Sequence, residues 1–482
     1  MTGILGILLA LGLLIFLAYR GLPVLLIAPL LALLAALLSG APLLASYTQV
    51  YMGSLGSFVV LYFPLFLLGA LFGKLMEASG CARAIAQWIV GRLGSQRAIL
   101  AIVLACAILT YGGVSLFVVA FAVYPIATAL FLEANLPRRL IPATIALGAF
   151  TFTMTALPGT PAIQNAIPMP FFGTTPFAAP GLGLLAGAVM LSLGLLWLER
   201  RAAAAARAGE GYGSASAPVA EPPPKSLRPL AQGEGYDLME IGTATKAPPP
   251  GPLSALLPIA LVIALNYLFS EYLLPALDTA YLASPLYGET DLQQVLGVWS
   301  IICALTLSIC VLLALHRSRI PDLKSALDDG ASAAVLPIFN TASLVGFGAV
   351  IASLSAFTLI RDAVLDIAPG NPLISLAVAV NILAGITGSA SGGMSIALQT
   401  LGPSYMALAQ QAGISPELLH RVTAIATGGL DTLPHNGAVI TLLSICKLTH
   451  RESYFDIFIA AMLAPLAALV IVIILGTWFG SF

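Results

Sequence analysis

The sequence predicts an all-α integral membrane protein with about 10 spans, two re-entrant hairpins and helices broken near their middles. Three observations predict it. Only 9% of the 482 residues are charged and 59% are hydrophobic, whereas a soluble domain carries about 25% charged residues to keep its surface wet. The apolar residues fall in runs near membrane-spanning length, since ~20 helical residues at ~1.5 Å each cover a ~30 Å hydrocarbon core. Glycine, serine and proline recur at corresponding places in the two halves of the chain.

In chain order the apolar runs lie at roughly 3–19, 22–40, 57–75, 99–133, 139–165, 181–198, 253–274, 293–315, 331–358, 372–411, 417–446 and 454–480. The first lacks a basic leader and ends at Arg20 with no small-residue cleavage site, so it reads as a retained span and the chain as beginning near Met1. Runs 99–133 and 372–411 are too long for one crossing. Each carries small residues near its middle, Tyr111-Gly112-Gly113-Val114-Ser115 in one and Thr387-Gly388-Ser389-Ala390-Ser391-Gly392-Gly393 in the other. They read as helix, turn and helix, either re-entrant hairpins or pairs of spans. The polar, proline-rich stretch from Arg200 to Gly251 reads as a flexible linker. The expected organisation is N-terminal spans (1–56), a first repeat (57–199), the linker (200–251), connecting spans (252–330) and a second repeat (331–482).

If the linker is cytoplasmic, all of the 20 Lys and Arg residues except Arg361 and Arg421 fall on the cytoplasmic side, as the positive-inside rule favours. Both termini are then extracytoplasmic. His420 is expected at an outer end and His316 and His450 at cytoplasmic ends, without assigned roles. A net charge of −1 offers no basic surface for nucleic acid, and the five cysteines show no CxxC spacing, so no metal site, disulfide framework or cofactor is expected. HExxH, P-loop and nucleophile-elbow motifs are missing, which argues against a membrane enzyme.

Pairs of similar segments recur in order at a nearly constant offset: Phe72-Gly73 with Phe347-Gly348, Gly113 with Gly388, Ala134-Asn135-Leu136-Pro137 with Ala412-Gly413-Ile414-Ser415-Pro416, and Leu157-Pro158 with Leu433-Pro434. The orientation above puts the two hairpins on opposite sides, which makes this an inverted repeat. Inverted repeats with helices broken at matched positions are the architecture of secondary transporters.

The candidate binding groups follow from that architecture. Gly112, Gly113 and Ser115 in the first tip, and Ser389, Ser391, Gly392 and Gly393 in the second, offer amides and hydroxyls at a helix N-terminus, where a carboxylate can be held. Close helix packing by small residues is the rival reading. At the proline breaks the carbonyl ladder is interrupted, and Thr160, Gln164, Asn165, Thr432 and Asn436 stand beside the freed groups as candidate substrate contacts. Asp431 and His435 are candidate proton carriers, because ionisable groups within a membrane are costly. The rivals there are a helix cap for Asp431 and an interior hydrogen-bonded role for His435. Glu133 is expected to be simply solvated.

The segment Leu68-Gly69-Ala70-Leu71-Phe72-Gly73-Lys74-Leu75-Met76-Glu77-Ala78-Ser79-Gly80, the hairpin after it, Ala134-Asn135-Leu136-Pro137, the Leu157-Pro158 break and Ser415-Pro416-Glu417-Leu418 together resemble the gluconate permease (GntP) family, within the ion transporter superfamily. The resemblance runs from about residue 57 to the C-terminus outside the linker. It implies proton-coupled, or sodium-coupled, uptake of a small carboxylate across a bacterial cytoplasmic membrane, by a homodimer with an elevator motion. The chain departs from the sugar-acid members by having Gly112-Gly113 where they carry a glutamate and Gly159-Thr160-Pro161 where they carry a histidine. Those losses suit a smaller acid, and the Tyr-Gly-Gly-Val-Ser tip resembles permeases for 3-hydroxybutyrate. A cation/proton antiporter of the same superfamily is the alternative, and a channel is disfavoured because no symmetric ring of carbonyls or charges is present.

Overall fold

The structure is a computed structural model and describes residues 2–20, 22–213, 250–434 and 436–482. Most of the expected linker, at 214–249, and His435 lie outside the described residues. Among those described, all regular structure is helical. Seven helices are long and apolar enough to cross a membrane, or eight if one bent pair counts as a span, and shorter apolar helices such as Val24–Leu38 and Pro372–Thr387 accompany them.

The first half contains α1 (Thr2–Tyr19), α2 (Val24–Leu38), α3 (Met52–Ala78), α4 (Cys81–Leu93), α5 (Ala98–Tyr111), α6 (Leu116–Glu133), α7 (Ile141–Ala149) and α8 (Pro180–Arg207). The second contains α9 (Pro252–Leu268), α10 (Leu292–His316), α11 (Leu323–Ser353), α12 (Phe357–Leu365), α13 (Pro372–Thr387), α14 (Ala390–Ala412), α15 (Pro416–Leu430), α16 (Gly437–Cys446), α17 (His450–Phe458) and α18 (Ala464–Phe479). Both long runs are interrupted where the small residues fall, at 112–115 and 388–389, so α5 with α6 and α13 with α14 form the two hairpins. Helix α4 was outside the expected spans. Its 13 residues include Arg83 and Arg92, and it meets the following helical segment at 101°, so the chain turns sharply between α3 and the first hairpin.

The halves repeat one order of elements, with α3 and α11, the two hairpins, α7 and α15, and then the two breaks in corresponding places. Helix α3 packs along α11, and α7 on α5 as α15 on α13. Phe72 and Phe347 are both fully buried. A Cβ added to Gly73 would come within 3.4 Å of the Ser115 amide nitrogen, and one on Gly348 within 3.2 Å of Ile396. Each glycine thus lets the long helix approach the second arm of its own hairpin.

Helix starts carry their own caps. Asp291, Asp322, Ser389 and Ser415 each accept an amide hydrogen from the first turn that follows, meeting donors that the helix leaves unpaired. At the end of α8, Glu210 pairs with Arg139 at 2.7 Å, Arg139 and Arg201 pair with the buried Asp456, and the Tyr212 amide donates to Asn135 Oδ1. The Arg139 hydrogen bond holds the Glu210 carboxyl below its ordinary value of 4.5. A carboxyl lowered in the folded state stabilises above the ordinary value, and that stabilisation is lost as pH falls through the lowered one. Hydrogen exchange at the Tyr212 amide, corrected for its intrinsic rate, is therefore expected to accelerate as pH falls below the ordinary carboxyl range, and to be fast at every pH in Glu210→Gln.

Candidate functional site

The two breaks share one solution to the carbonyls that proline frees. In the first, the Tyr111 hydroxyl donates to Pro158 O at 2.6 Å, Asn266 Nδ2 to Gly159 O at 3.1 Å and Asn165 Nδ2 to Thr160 O at 3.1 Å. In the second, His450 Nε2 donates to Pro434 O at 2.8 Å and the Tyr454 hydroxyl to Thr432 O at 3.1 Å. Irregular backbone at membrane depth survives only where such partners are supplied. His450, expected to be without a role, is one of them.

Arg421 and His420 differ most from the sequence reading. Both are fully buried instead of lying at an outer end. Arg421 Nε and Nη2 donate to Ala178 O at 3.0 and 2.6 Å, and Nη1 to Thr155 O and Asn165 Oδ1 at 3.3 and 3.2 Å. Among the described residues no carboxylate pairs with it. Its charge is met by backbone dipoles, which fastens the start of α15 to the first break. Asn165 Oδ1 is an acceptor only, so the His420 Nε2 at 3.2 Å is protonated, and in the neutral ring Nδ1 accepts from the Thr174 hydroxyl at 2.6 Å.

These contacts sort the expected binding residues. Asn165 also donates to Pro176 O, so its amide is saturated within the protein. Asn436 caps α16 and donates to Gly388 O at 2.7 Å, tying the second break to the second tip. Thr432 donates to Ala461 O, and Thr160 Oγ1 accepts the Ala162 amide. Ser391 lies within hydrogen-bonding distance of both Ser389 and Thr341, while Gly392 faces Leu344 and Gly393 faces the Ala384 backbone. Asp431 is the half-buried C-cap of α15. A side chain on Gly112 would overlap Ile259. Asp431 is placed by the helix end, and each of the others has a contact within the fold in this conformation.

Ser115, Gln164 and Gly113 are placed differently. They line a cavity of about 220 Å³, walled by α3, α11, the first tip and the first break. Gly113 has φ +91°, and a Cβ there would lie 2.9 Å from Pro161 Cγ, so only glycine lets tip and break touch. Thr110 Oγ1, Ser115 Oγ, Gln164 Oε1 and Thr441 Oγ1 are buried without protein partners, and all four residues line this cavity. Thr441 belongs to α16, which packs on α6, so the far repeat contributes one wall. Leu65, Phe66, Phe117, Phe121, Met154 and Leu305 supply apolar surface, and Lys74, Glu77 and Asp329 are the only charges in the wall among the described residues. The second tip, Thr432, Asn436 and Asp431 are not part of it.

Sequence reasoning missed Thr110, Thr441, Lys74, Glu77 and Asp329. The available signal was Lys74 and Glu77, three positions apart at the end of an apolar run, where a bare charge is costly.

A small cavity lined by unpartnered polar oxygens, set between broken helices in a bundle of membrane-length helices, is the kind of site that a membrane transport protein for a small solute presents. Residues 2–171 match the family model described as GntP family permease. The chain is 46% identical over 474 residues, 97% of its length and 98% of the relative's, to a Bacillus subtilis (strain 168) protein described as "Uncharacterized transporter YxjC". It belongs to the GntP permease family. The matched region begins at residue 2, so α1 and α2, which the resemblance left out, are part of it.

Proposed function

We propose that the protein is a secondary active symporter that takes up a small organic acid with protons, working as a homodimer with an elevator motion in a bacterial cytoplasmic membrane. The substrate class is a short hydroxy-carboxylate such as 3-hydroxybutyrate, with gluconate the larger candidate. The observation that carries this reading is the set of four unpartnered oxygens, on Thr110, Ser115, Gln164 and Thr441, around a cavity that also contains one lysine. Other buried oxygens in the protein also lack partners, but these four gather round one cavity, where a bound solute can complete their bonding. The volume of about 220 Å³ is below the ~300–1,000 Å³ typical of drug-sized ligands, which suits a solute of a few carbons.

Ser115, Gln164 and Thr441 then hold the hydroxyl and one carboxylate oxygen beside the Gly113 backbone. The second tip and break (Ser389, Ser391, Gly392, Gly393, Thr432, Asn436) would act on the opposite face of the cycle, with Asp431 or His435 as proton carriers there. A cation/proton antiporter is the second reading, favoured by the two carboxylates in the cavity wall.

Accumulation of labelled acid by proteoliposomes under an imposed pH or sodium gradient tests the reading. Protons released by added cation without any organic acid would favour antiport. A sharper prediction separates binding from folding. Ser115→Ala and Thr441→Val remove hydroxyls that bond nothing in the protein, so the melting temperature stays level or rises, while KM for the acid rises about tenfold, the equivalent of one hydrogen bond of about 1.4 kcal/mol. A lower melting temperature with unchanged KM would assign both hydroxyls to the fold.

A further inference from the structure

Lys74 Nζ lies 3.4 Å from Asp329 Oδ2 and 3.6 Å from Glu77 Oε2. Lys74 and Glu77 are on α3 and Asp329 is on α11. All three line the cavity, and no other charged side chain lines it among the described residues. Arg83 on α4 is the remaining charge that acts on Glu77. With both carboxylates ionised, the three groups sum to a single negative charge at the place where an organic anion would bind. Thr110 and Thr441 are 4% and 1% exposed, with unpartnered hydroxyl oxygens in the same cavity.

We propose that Lys74 is the anchor for the substrate carboxylate and that Glu77, rather than Asp431 or His435, is the proton acceptor that makes its binding possible. The inference rests on the symport reading above. Lys74 is already shared by two carboxylates, so an incoming anion must compete with them, and the negative sum opposes it. Taking one proton onto a carboxylate releases Lys74 in part and brings the sum to zero. The bound acid then restores a single negative charge. The empty site and the site loaded with one acid anion plus one proton carry the same charge, and the electrostatic cost of moving the site is the same in both directions of the cycle.

Of the two carboxylates, Glu77 is the one assigned the proton. The Glu77 side chain is 27% exposed against 41% for Asp329, and it is the more distant from Lys74, so it gives up its charge at lower cost. Carboxylate and carboxylic acid differ by one proton taken from the external water and delivered to the internal water, and no other reactant is needed.

The test uses the full chain in proteoliposomes, with labelled 3-hydroxybutyrate and gluconate as probes. For the wild type, KM in equilibrium exchange falls as pH is lowered, and a pH gradient, acid outside, drives accumulation. Glu77→Gln mimics the protonated side chain, so its KM becomes independent of pH and accumulation under the gradient falls tenfold or more; residual exchange shows that the variant is folded. Glu77→Asp restores the pH dependence. Lys74→Met raises KM tenfold or more, and Lys74→Arg recovers most of it. Wild-type pH dependence and accumulation in Glu77→Gln, or an unchanged KM in Lys74→Met, would overturn the proposal. A wild type that carries neither acid, with or without a gradient, removes the symport reading itself, a result distinct from either variant's behaviour.

Discussion

Gly393→Ala abolishes transport and prevents the second hairpin from closing. A methyl group at this position would overlap the backbone nitrogen and Cα of Ala384 on the facing arm. Side chains can rotate away from an intruding atom, but these are main-chain atoms of α13, so the arms themselves must separate. Ordinary overpacking costs about 1–3 kcal/mol because neighbours adjust, and a backbone clash at a hairpin tip exceeds that range. The separation also breaks the bond from Asn436 to Gly388 O, which joins tip to break. Gly402→Ala on the same helix is the control. Its added methyl would stand 3.5 Å from Phe171, an ordinary contact, and a glycine removed from a helix interior gains roughly 0.5–1 kcal/mol. Melting of the two purified variants checks this: Gly402→Ala melts at or above the wild-type temperature, while Gly393→Ala is lost or melts far below it.

Replacing Arg421 has the next largest effect. Arg421→Met leaves Thr155 O and Asn165 Oδ1 short of one donor each and Ala178 O short of two. Because the site is fully buried, water cannot take the place of those donors. Breaking a buried charged network costs about 3–5 kcal/mol, whereas an arginine at an outer loop, where the sequence put it, would change stability by roughly 0.5 kcal/mol or less. Arg421→Lys keeps the charge but not the planar fork, so it recovers only part of the loss. Thermal unfolding followed by tryptophan fluorescence distinguishes the cases, and a Met variant as stable as wild type would contradict the network.

The same residue shows where sequence reading reaches its limit. Interruptions by Gly112-Gly113, Gly388, Pro158 and Pro434 were legible because they act through the local backbone, and local chemistry is written in consecutive residues. The apolar runs were legible for the same reason. Arg421 was misread because it stands five residues beyond Pro416, at what reads as the surface end of a helix, and its three acceptors come from segments some 240 residues earlier or more. Asn165 and Asn436 were singled out as candidate substrate contacts because they are polar groups beside freed carbonyls. Sequence cannot say whether such an amide turns to the chain's own backbone or to a solute, and in the structure both are engaged by the backbone. Lys74 and Asp329 meet across α3 and α11, which pack together only once the two repeats combine. Nothing in either segment alone announces that pairing.

On the proposed reading, the cavity between the first tip, the first break and α16 holds a small carboxylate that moves with protons. The most direct test is accumulation of labelled 3-hydroxybutyrate in proteoliposomes under a pH gradient, acid outside, comparing wild type with the Ser115→Ala/Thr441→Val double variant. The wild type is expected to concentrate the acid above its external level, an effect abolished by a protonophore, and the double variant to melt normally but need far more acid to reach the same rate. Uptake by the double variant indistinguishable from wild type would contradict the placement of the site, and uptake that never exceeds equilibrium would contradict coupling to protons.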